Sequence, residues 1–278
     1  MKKVILVTGA SSGIGKETVK YFAAKDWNVI ASMRNPEKET ELNHLENVLL
    51  VKLDVQDQST IDHAIEIGIS HFGHIDALVN NAGYGQSGVF EAVTPEQVYK
   101  QFDVNVFGVM NTIRAILPHF RARKQGVILN VSSGAGKFTL PLISLYASSK
   151  FALEGFSEAL YFELSTLNIK VKIVEPGGTT TNFNQATADV FADSSSLPDY
   201  DPFLAAASQM FDGLKAQKLV EASAVAALIH TAVTDGTDTL RYVIGNEDFM
   251  ERMNARLHKP DQEYINSVKD SFVKYLPQ

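Results

Sequence analysis

Short apolar runs alternate with amphipathic stretches along most of the chain. Residues 4–8, 28–32, 48–53, 77–80, 127–131, 171–174 and 241–244 are mostly aliphatic without a break. A strand that is apolar at every position, not at every second one, buries both of its faces, as parallel strands covered by helices do. Between these runs, apolar residues recur at helical spacing over 13–24, 59–72, 95–121, 145–167 and 222–232. Strand–helix alternation of this kind predicts an α/β fold, a doubly wound parallel sheet of the Rossmann type. Right-handed crossovers then place ligands at the carboxyl ends of the strands.

Two regions break the rhythm. Residues 179–219 contain Ser194-Ser195-Ser196 and Pro198, followed by an apolar stretch. A long segment between a strand and a helix reads as a helical lid over a binding site. Residues 247–278 are charged and weakly amphipathic and read as a C-terminal extension. The expected organisation is one domain over 1–246, lid included, followed by that extension.

Composition narrows the function classes. With 45% hydrophobic and 21% charged residues, the 278-residue chain has the balance of a soluble globular protein. The net charge is −7 and no basic block stands out, which argues against nucleic acid and anionic membranes as partners. No apolar run reaches the roughly 20 residues of a membrane span. The first apolar run leads straight into a glycine motif, so it reads as a strand, not a targeting segment, and a cytoplasmic location is the expectation. The absence of cysteine excludes disulfides and thiol catalysis. The seven histidines show no metal-ligand arrangement, and His71 and His74 read as surface residues near a helix end.

The sequence Thr8-Gly9-Ala10-Ser11-Ser12-Gly13-Ile14-Gly15 joins the first strand to the first helix. Its glycines permit a tight turn and close approach of backbone to a diphosphate, and the helix N-terminus offers free N–H groups. This is a dinucleotide site. An acidic residue at the end of the second strand would bind the ribose 2′-hydroxyl of NAD. The chain instead reads Ala31-Ser32-Met33-Arg34-Asn35. Arg34 suits a 2′-phosphate through its planar fork, with Ser32 as a further donor, so the expected cofactor is NADP(H). Asp54 and Val55 end the third strand. There the carboxylate either accepts from the adenine amino group or caps a turn.

Tyr146 and Lys150 stand four apart on a predicted helix and share a face. A nearby ammonium, with the positive charge of an oxidised nicotinamide, would favour the phenolate and let Tyr146 act as acid or base. Ser133 follows the strand over 127–131, where its hydroxyl can hold a substrate oxygen as negative charge develops. A dinucleotide site and a proton-transfer site in one chain imply hydride transfer.

Taken together, these motifs resemble the short-chain dehydrogenase/reductase family, in the subgroup with a TGxxxGIG cofactor motif and a YxxxK active site. The resemblance covers residues 3 to 185 densely and continues more loosely to about 245. It adds Asn80-Asn81-Ala82-Gly83, which matches the family's NNAG segment. Asn105 matches the asparagine of a catalytic tetrad completed by Ser133, Tyr146 and Lys150. In the family this asparagine bends its helix and anchors a water linked to the lysine. The spacing to Tyr146 selects Ser133 over its neighbour Ser132. Pro176-Gly177, Thr179 and Thr181 match a motif that contacts the nicotinamide.

Within the family, the chain is similar to hydroxysteroid dehydrogenases and carbonyl reductases. The resemblance implies an NADPH-dependent reductase of ketones or aldehydes, acting reversibly on an apolar alcohol. The alternatives are an isomerase or dehydratase on the same scaffold, or an NADPH sensor without turnover. Substrate-lining candidates are Ser133, Tyr84, Phe138, Leu140, Ile143 and Phe183, a mainly apolar set. Family members pair through the helices over 95–121 and 145–167, so a homodimer or homotetramer is expected.

Overall fold

The computed structural model describes residues 1–215 and 217–276, so residues 216, 277 and 278, inside the expected lid and extension, lie outside the described residues. Seven strands form one parallel sheet: β1 (Val4–Thr8), β2 (Asn28–Met33), β3 (Val48–Lys52), β4 (Ala77–Asn80), β5 (Gly126–Val131), β6 (Ile169–Pro176) and β9 (Arg241–Ile244). Two short strands, β7 (Thr179–Thr180) and β8 (Val220–Glu221), pair separately. The helices are α1 (Gly13–Ala24), α2 (Gln58–Phe72), α3 (Pro95–Phe102), α4 (Gly108–Arg123), α5 (Ser144–Ser165), α6 (Phe183–Ala188), α7 (Asp201–Lys215), α8 (Ala222–Thr234), α9 (Glu247–His258) and α10 (Asp261–Val273).

The strand order is β3-β2-β1-β4-β5-β6-β9, with every pairing parallel. The order reverses between β1 and β4, which opens a crevice at their carboxyl ends. Alternation along β1 shows why the strands read as unbroken apolar runs. Val4 and Leu6 enter a core shared with α2, α4 and α5, whereas Ile5 and Val7 enter a second core under α1 and α8. No helix among the described residues is long and apolar enough to cross a membrane.

Three expectations need correction. The helix expected over 95–121 is divided, because a π-helical turn at Asp103–Phe107 separates α3 from α4. A wide turn of this kind shifts the register of all that follows, and Asn105 lies inside it. His74 is not a surface residue. It is buried, with Nε2 3.0 Å from Asp76 Oδ2, and Asp76 also pairs with Arg123 at 3.0 Å. The residues after 246 are more regular than their charge suggested. They form two helices that bury Phe249, Met253 and Tyr264 against Phe138.

The lid region is tied at both ends. Its first strand, β7, pairs with β8 at its far end. Between them, α7 meets α10 through the edge-to-face rings of Phe203 and Phe272, 5.7 Å apart.

Candidate active site

The crevice is built by β1 and β4 cross-linking at their ends. Thr8 Oγ1 accepts from the backbone N–H of Asn81 and of Ala82, at 3.0 and 3.1 Å. Asn81 Nδ2 donates in return to the carbonyls of Thr8 and Gly9. These bonds hold the glycine loop in one shape. Gly9 has φ +67°, and a Cβ there would stand 2.8 Å from the Ala82 backbone. A Cβ on Gly15 would overlap the Gly9 carbonyl oxygen, so only glycine lets α1 start this close to the strand.

Ser12 caps α1 without a side-chain hydrogen bond, and the first turn holds no acidic residue. The leading amides therefore face outward beside exposed Ser11 and Ser12, with Ile14 partly buried behind them. Thr181 closes the other side, its methyl 3.1 Å from the point where a Cβ on Gly13 would project. A glycine cradle at an uncapped helix N-terminus fits the diphosphate of a dinucleotide.

Around the cradle the expected residues fall into two groups. Arg34 is exposed at the end of β2 and makes no ion pair or hydrogen bond among the described residues. Ser32 is not available as its co-donor, because it is buried and donates to the Val7 carbonyl at 3.0 Å. Asp54 Oδ1 accepts from the Gln56 backbone, the turn role, while Asp57 caps α2. Val55 is buried against Gly108. Gly83 is exposed beside the Asn105 side chain. Pro176 is buried at the end of β6, Gly177 follows it, and Thr179 Oγ1 donates to the Gly177 carbonyl at 2.9 Å.

The second group assembles at the end of β5. Ser133 caps a short turn, its Oγ accepting from Ala135 N at 3.1 Å, and its hydroxyl stands close enough to that of Tyr146 to favour the phenolate. Ser132 faces away, with Oγ buried and lacking a hydrogen-bond partner among the described residues. Lys150 is buried, with Nζ 5.8 Å from the Tyr146 ring centre and donating to the Val131 carbonyl at 2.9 Å.

Burial sets the protonation of this pair. It pushes the Tyr146 phenol up to about 12, against a smaller opposing effect of Ser133, and brings Lys150 down to about 8, against the pull of Glu154. The ammonium itself is tethered to the Val131 carbonyl, and in the protein alone burial dominates the Tyr146 phenol. At neutral pH both groups hold their protons, which readies Tyr146 as an acid.

Asn105 is fully enclosed. Its Oδ1 accepts from Tyr84 N at 3.1 Å, and Nδ2 donates to the Tyr84 carbonyl and to Ser149 Oγ, at 2.9 and 3.1 Å. Both N–H groups are in use, so the side chain acts as a tether between the π-turn, the loop after β4 and α5.

Among the substrate-lining candidates, Phe183 lies beside Tyr146, and Ile143 precedes the first residue of α5. Phe138 is withdrawn into a buried cluster with Phe249, with Leu140 packed against it. Tyr84 turns its ring toward Lys100, and its phenol is pushed up to about 12 by burial and by Asp103. Phe138 nonetheless stands at the Ser133 turn, 3.0 Å from where a Cβ on Gly134 would project. Leu142, in the loop leading to Tyr146, has a φ of +65°, which is strained for a branched residue.

The family described as short chain dehydrogenase matches residues 3–190. The chain belongs to this family. It is a nucleotide-binding oxidoreductase on that ground, and individual relatives agree. An uncharacterised oxidoreductase of Schizosaccharomyces pombe is 41% identical over 218 residues, covering 77% of this chain and 89% of that protein. The crystal structure of a short-chain dehydrogenase from Streptomyces avermitilis superposes with a TM-score of 0.82 at 31% identity, covering 98% of each chain. ElxO, solved with NADP bound, superposes with a TM-score of 0.72 at 28% identity over 87% of this chain and 98% of its own. Other solved members hold NAD or NADH, so the family alone does not choose the dinucleotide.

Proposed function

We propose that this protein is an NADPH-dependent reductase of apolar ketones or aldehydes, working in reverse as an alcohol dehydrogenase. The observation that carries the reading is buried Lys150, held by the Val131 carbonyl with Nζ 5.8 Å from the Tyr146 ring centre, with Ser133 beside the Tyr146 hydroxyl. The bound dinucleotide supplies the hydride that reaches the carbonyl carbon. Tyr146 gives its hydroxyl proton to the carbonyl oxygen as the C–H bond forms, and Ser133 donates a hydrogen bond to the same oxygen. Lys150, protonated below about pH 8, stabilises the phenolate left behind and offers its remaining N–H groups to the cofactor ribose.

Arg34 supports the choice of NADPH, since it is exposed and unengaged where a 2′-phosphate would lie, and no carboxylate follows β2 directly. The apolar substrate rests on Phe183 above Tyr146. Homo-oligomer formation is supported by exposed Phe107, just before α4, and exposed Phe151 and Phe162 on α5.

The test is loss of NADPH and of NADH absorbance in parallel against apolar ketones, aldehydes and a steroid. Tyr146→Phe is expected to bind NADPH as wild type does while losing turnover by about 10²-fold or more. Wild-type turnover in that variant would refute the assignment.

A further inference from the structure

Beneath the candidate site, α5, β6 and β9 enclose a group of charges that the reaction above does not use. Glu154 on α5 and Glu175 on β6 are 4% and 1% exposed, so both carboxyls are buried. Lys137 Nζ lies 3.0 Å from Glu154 and 3.7 Å from Glu175, and Arg241 Nε lies 3.0 and 3.3 Å from the same two. Arg241 also reaches exposed Glu158 at 2.5 Å. Lys150, one turn before Glu154 on α5, completes the charged surroundings.

Two cations against two carboxylates look balanced, yet the hydrogen bonds are not. Glu154 Oε1 and Glu175 Oε1 are buried without a hydrogen-bond partner among the described residues, Glu175 Oε1 keeping only its ion pairs at 3.3 and 3.7 Å, and both carboxyls converge on the same two cations. Two ionised carboxylates only accept, so each would face the other's lone pairs. One proton between them turns the contact into a hydrogen bond and satisfies both oxygens. Burial and the neighbouring Glu154 push the Glu175 carboxyl up to about 7, in the same direction.

We propose that Glu154 and Glu175 share one proton, and that this pair is a positioning element for Lys150, setting the charge its ammonium sees. The proposal deepens the reductase reading and rests on it for its catalytic consequence. Glu154 holds the Lys150 ammonium by attraction. Glu175 determines whether that attraction comes from a pair with one negative charge or with two. Its position matters a second time, because Glu175 directly precedes Pro176-Gly177 at the end of β6.

The test follows Lys150 by NMR titration of the protein labelled with ¹³C-lysine, assigned with Lys150→Arg, in wild type, E154Q and E175Q. The amide that E175Q introduces keeps the shape of a protonated glutamate and its hydrogen-bond donor. At alkaline pH this substitution also removes one negative charge, so the Lys150 midpoint is expected about half a pH unit lower in E175Q. E154Q is expected to lower it further. Thermal stability measured between about pH 5 and about pH 8 reads the shared proton directly. The native pair binds a proton that the unfolded chain has released, so wild-type stability should fall more steeply with rising pH than that of E175Q.

A Lys150 midpoint identical in all three proteins would overturn the proposal, as would equal pH slopes of stability. Neither measurement needs turnover, so absence of any reductase activity would count against the functional reading and leave this one standing. Where turnover is present, the alkaline limb of its pH profile should move with the Lys150 midpoint in each variant.

Discussion

The ring of Phe183 lies 5.6 Å from the ring of Tyr146, centre to centre, tilted by 53°. The two belong to different layers, since Tyr146 is on α5 and Phe183 begins α6 in the lid. The segment after β7 thus brings an apolar ring directly onto the phenol proposed to move the proton. Phe183 also lies 3.2 Å from where a Cβ on Gly85 would project, so the ring is held from both sides. Phe183→Ala is expected to lower kcat/KM for bulky apolar ketones by about 10-fold, the effect of losing about one to two kcal/mol of aromatic contact. The dissociation constant for NADPH should change little. An equal loss for acetone-sized and steroid-sized substrates would show that the ring does not contact substrate.

The protonation states predict a pH profile. Lys150 carries its proton below about pH 8, and Tyr146 keeps its own up to about 12. The kcat/KM for NADPH reports groups on the free enzyme. It should hold steady at neutral pH and decline above about pH 8, as the ammonium that faces the cofactor ribose is lost. Lys150→Arg, which stays charged, should flatten that decline while lowering the plateau. A decline that survives in Lys150→Arg would assign the limb to another group.

Much of this arrangement was legible along the chain, and the failures share a cause. The strands were readable because burial on both faces makes each of them apolar throughout, a local property. The glycine loop, Ser133, Tyr146 and Lys150 were readable because fixed spacings put them on adjoining turns. The bend at Asn105 was legible only through the family resemblance, because an inserted residue changes register without changing composition. The Phe138–Phe249 contact was not readable because its two rings lie far apart along the chain, and Ser32 was misplaced because its acceptor is a carbonyl on β1. His74, Glu154 and Glu175 are buried charges or polar groups whose partners come from other elements, and no local pattern announces such pairs.

Asn105 joins three segments through three hydrogen bonds, so its loss should appear as instability before it appears as chemistry. Asn105→Ala leaves the Tyr84 N–H and carbonyl without their partner inside a buried site. Each unsatisfied group costs about 1–3 kcal/mol, and part of this is recovered as water enters. A loss of about 2–4 kcal/mol in unfolding free energy is expected, with turnover reduced as the loop after β4 loosens. A variant of wild-type stability with reduced turnover would instead give Asn105 a direct part in proton transfer.

Arg34 offers a separate test of cofactor choice. Being exposed and unpaired among the described residues, it contributes little to the fold. Arg34→Ala should therefore leave Tm unchanged and raise KM for NADPH by about 10–100-fold, the loss of one charge-assisted phosphate contact, with KM for NADH nearly constant. Equal increases for both dinucleotides would place Arg34 away from the 2′-phosphate.

The last prediction concerns the helices after β9. The Phe249 ring fills a cup whose walls are glycines from three segments: Gly134 beside Ser133, Gly177 after β6, and Gly245 after β9. A Cβ on Gly177 would lie 2.7 Å from the ring, and one on Gly134 or Gly245 would overlap it outright. Phe138, Met253 and Tyr264 pack around the ring and leave it no retreat. Gly245→Ala should therefore cost about 1–3 kcal/mol by overpacking, and Phe249→Ala about 3–5 kcal/mol by leaving a cavity. In the double variant the added methyl group enters space that the ring has vacated. The two costs should then fall short of their sum by about 1–2 kcal/mol in a double-mutant cycle read by denaturant unfolding. Since Gly134 and Gly177 flank the Ser133 turn and the end of β6, Phe249→Ala should also lower turnover. Strict additivity, or full turnover in Phe249→Ala, would mean that α9 rests on the site without shaping it.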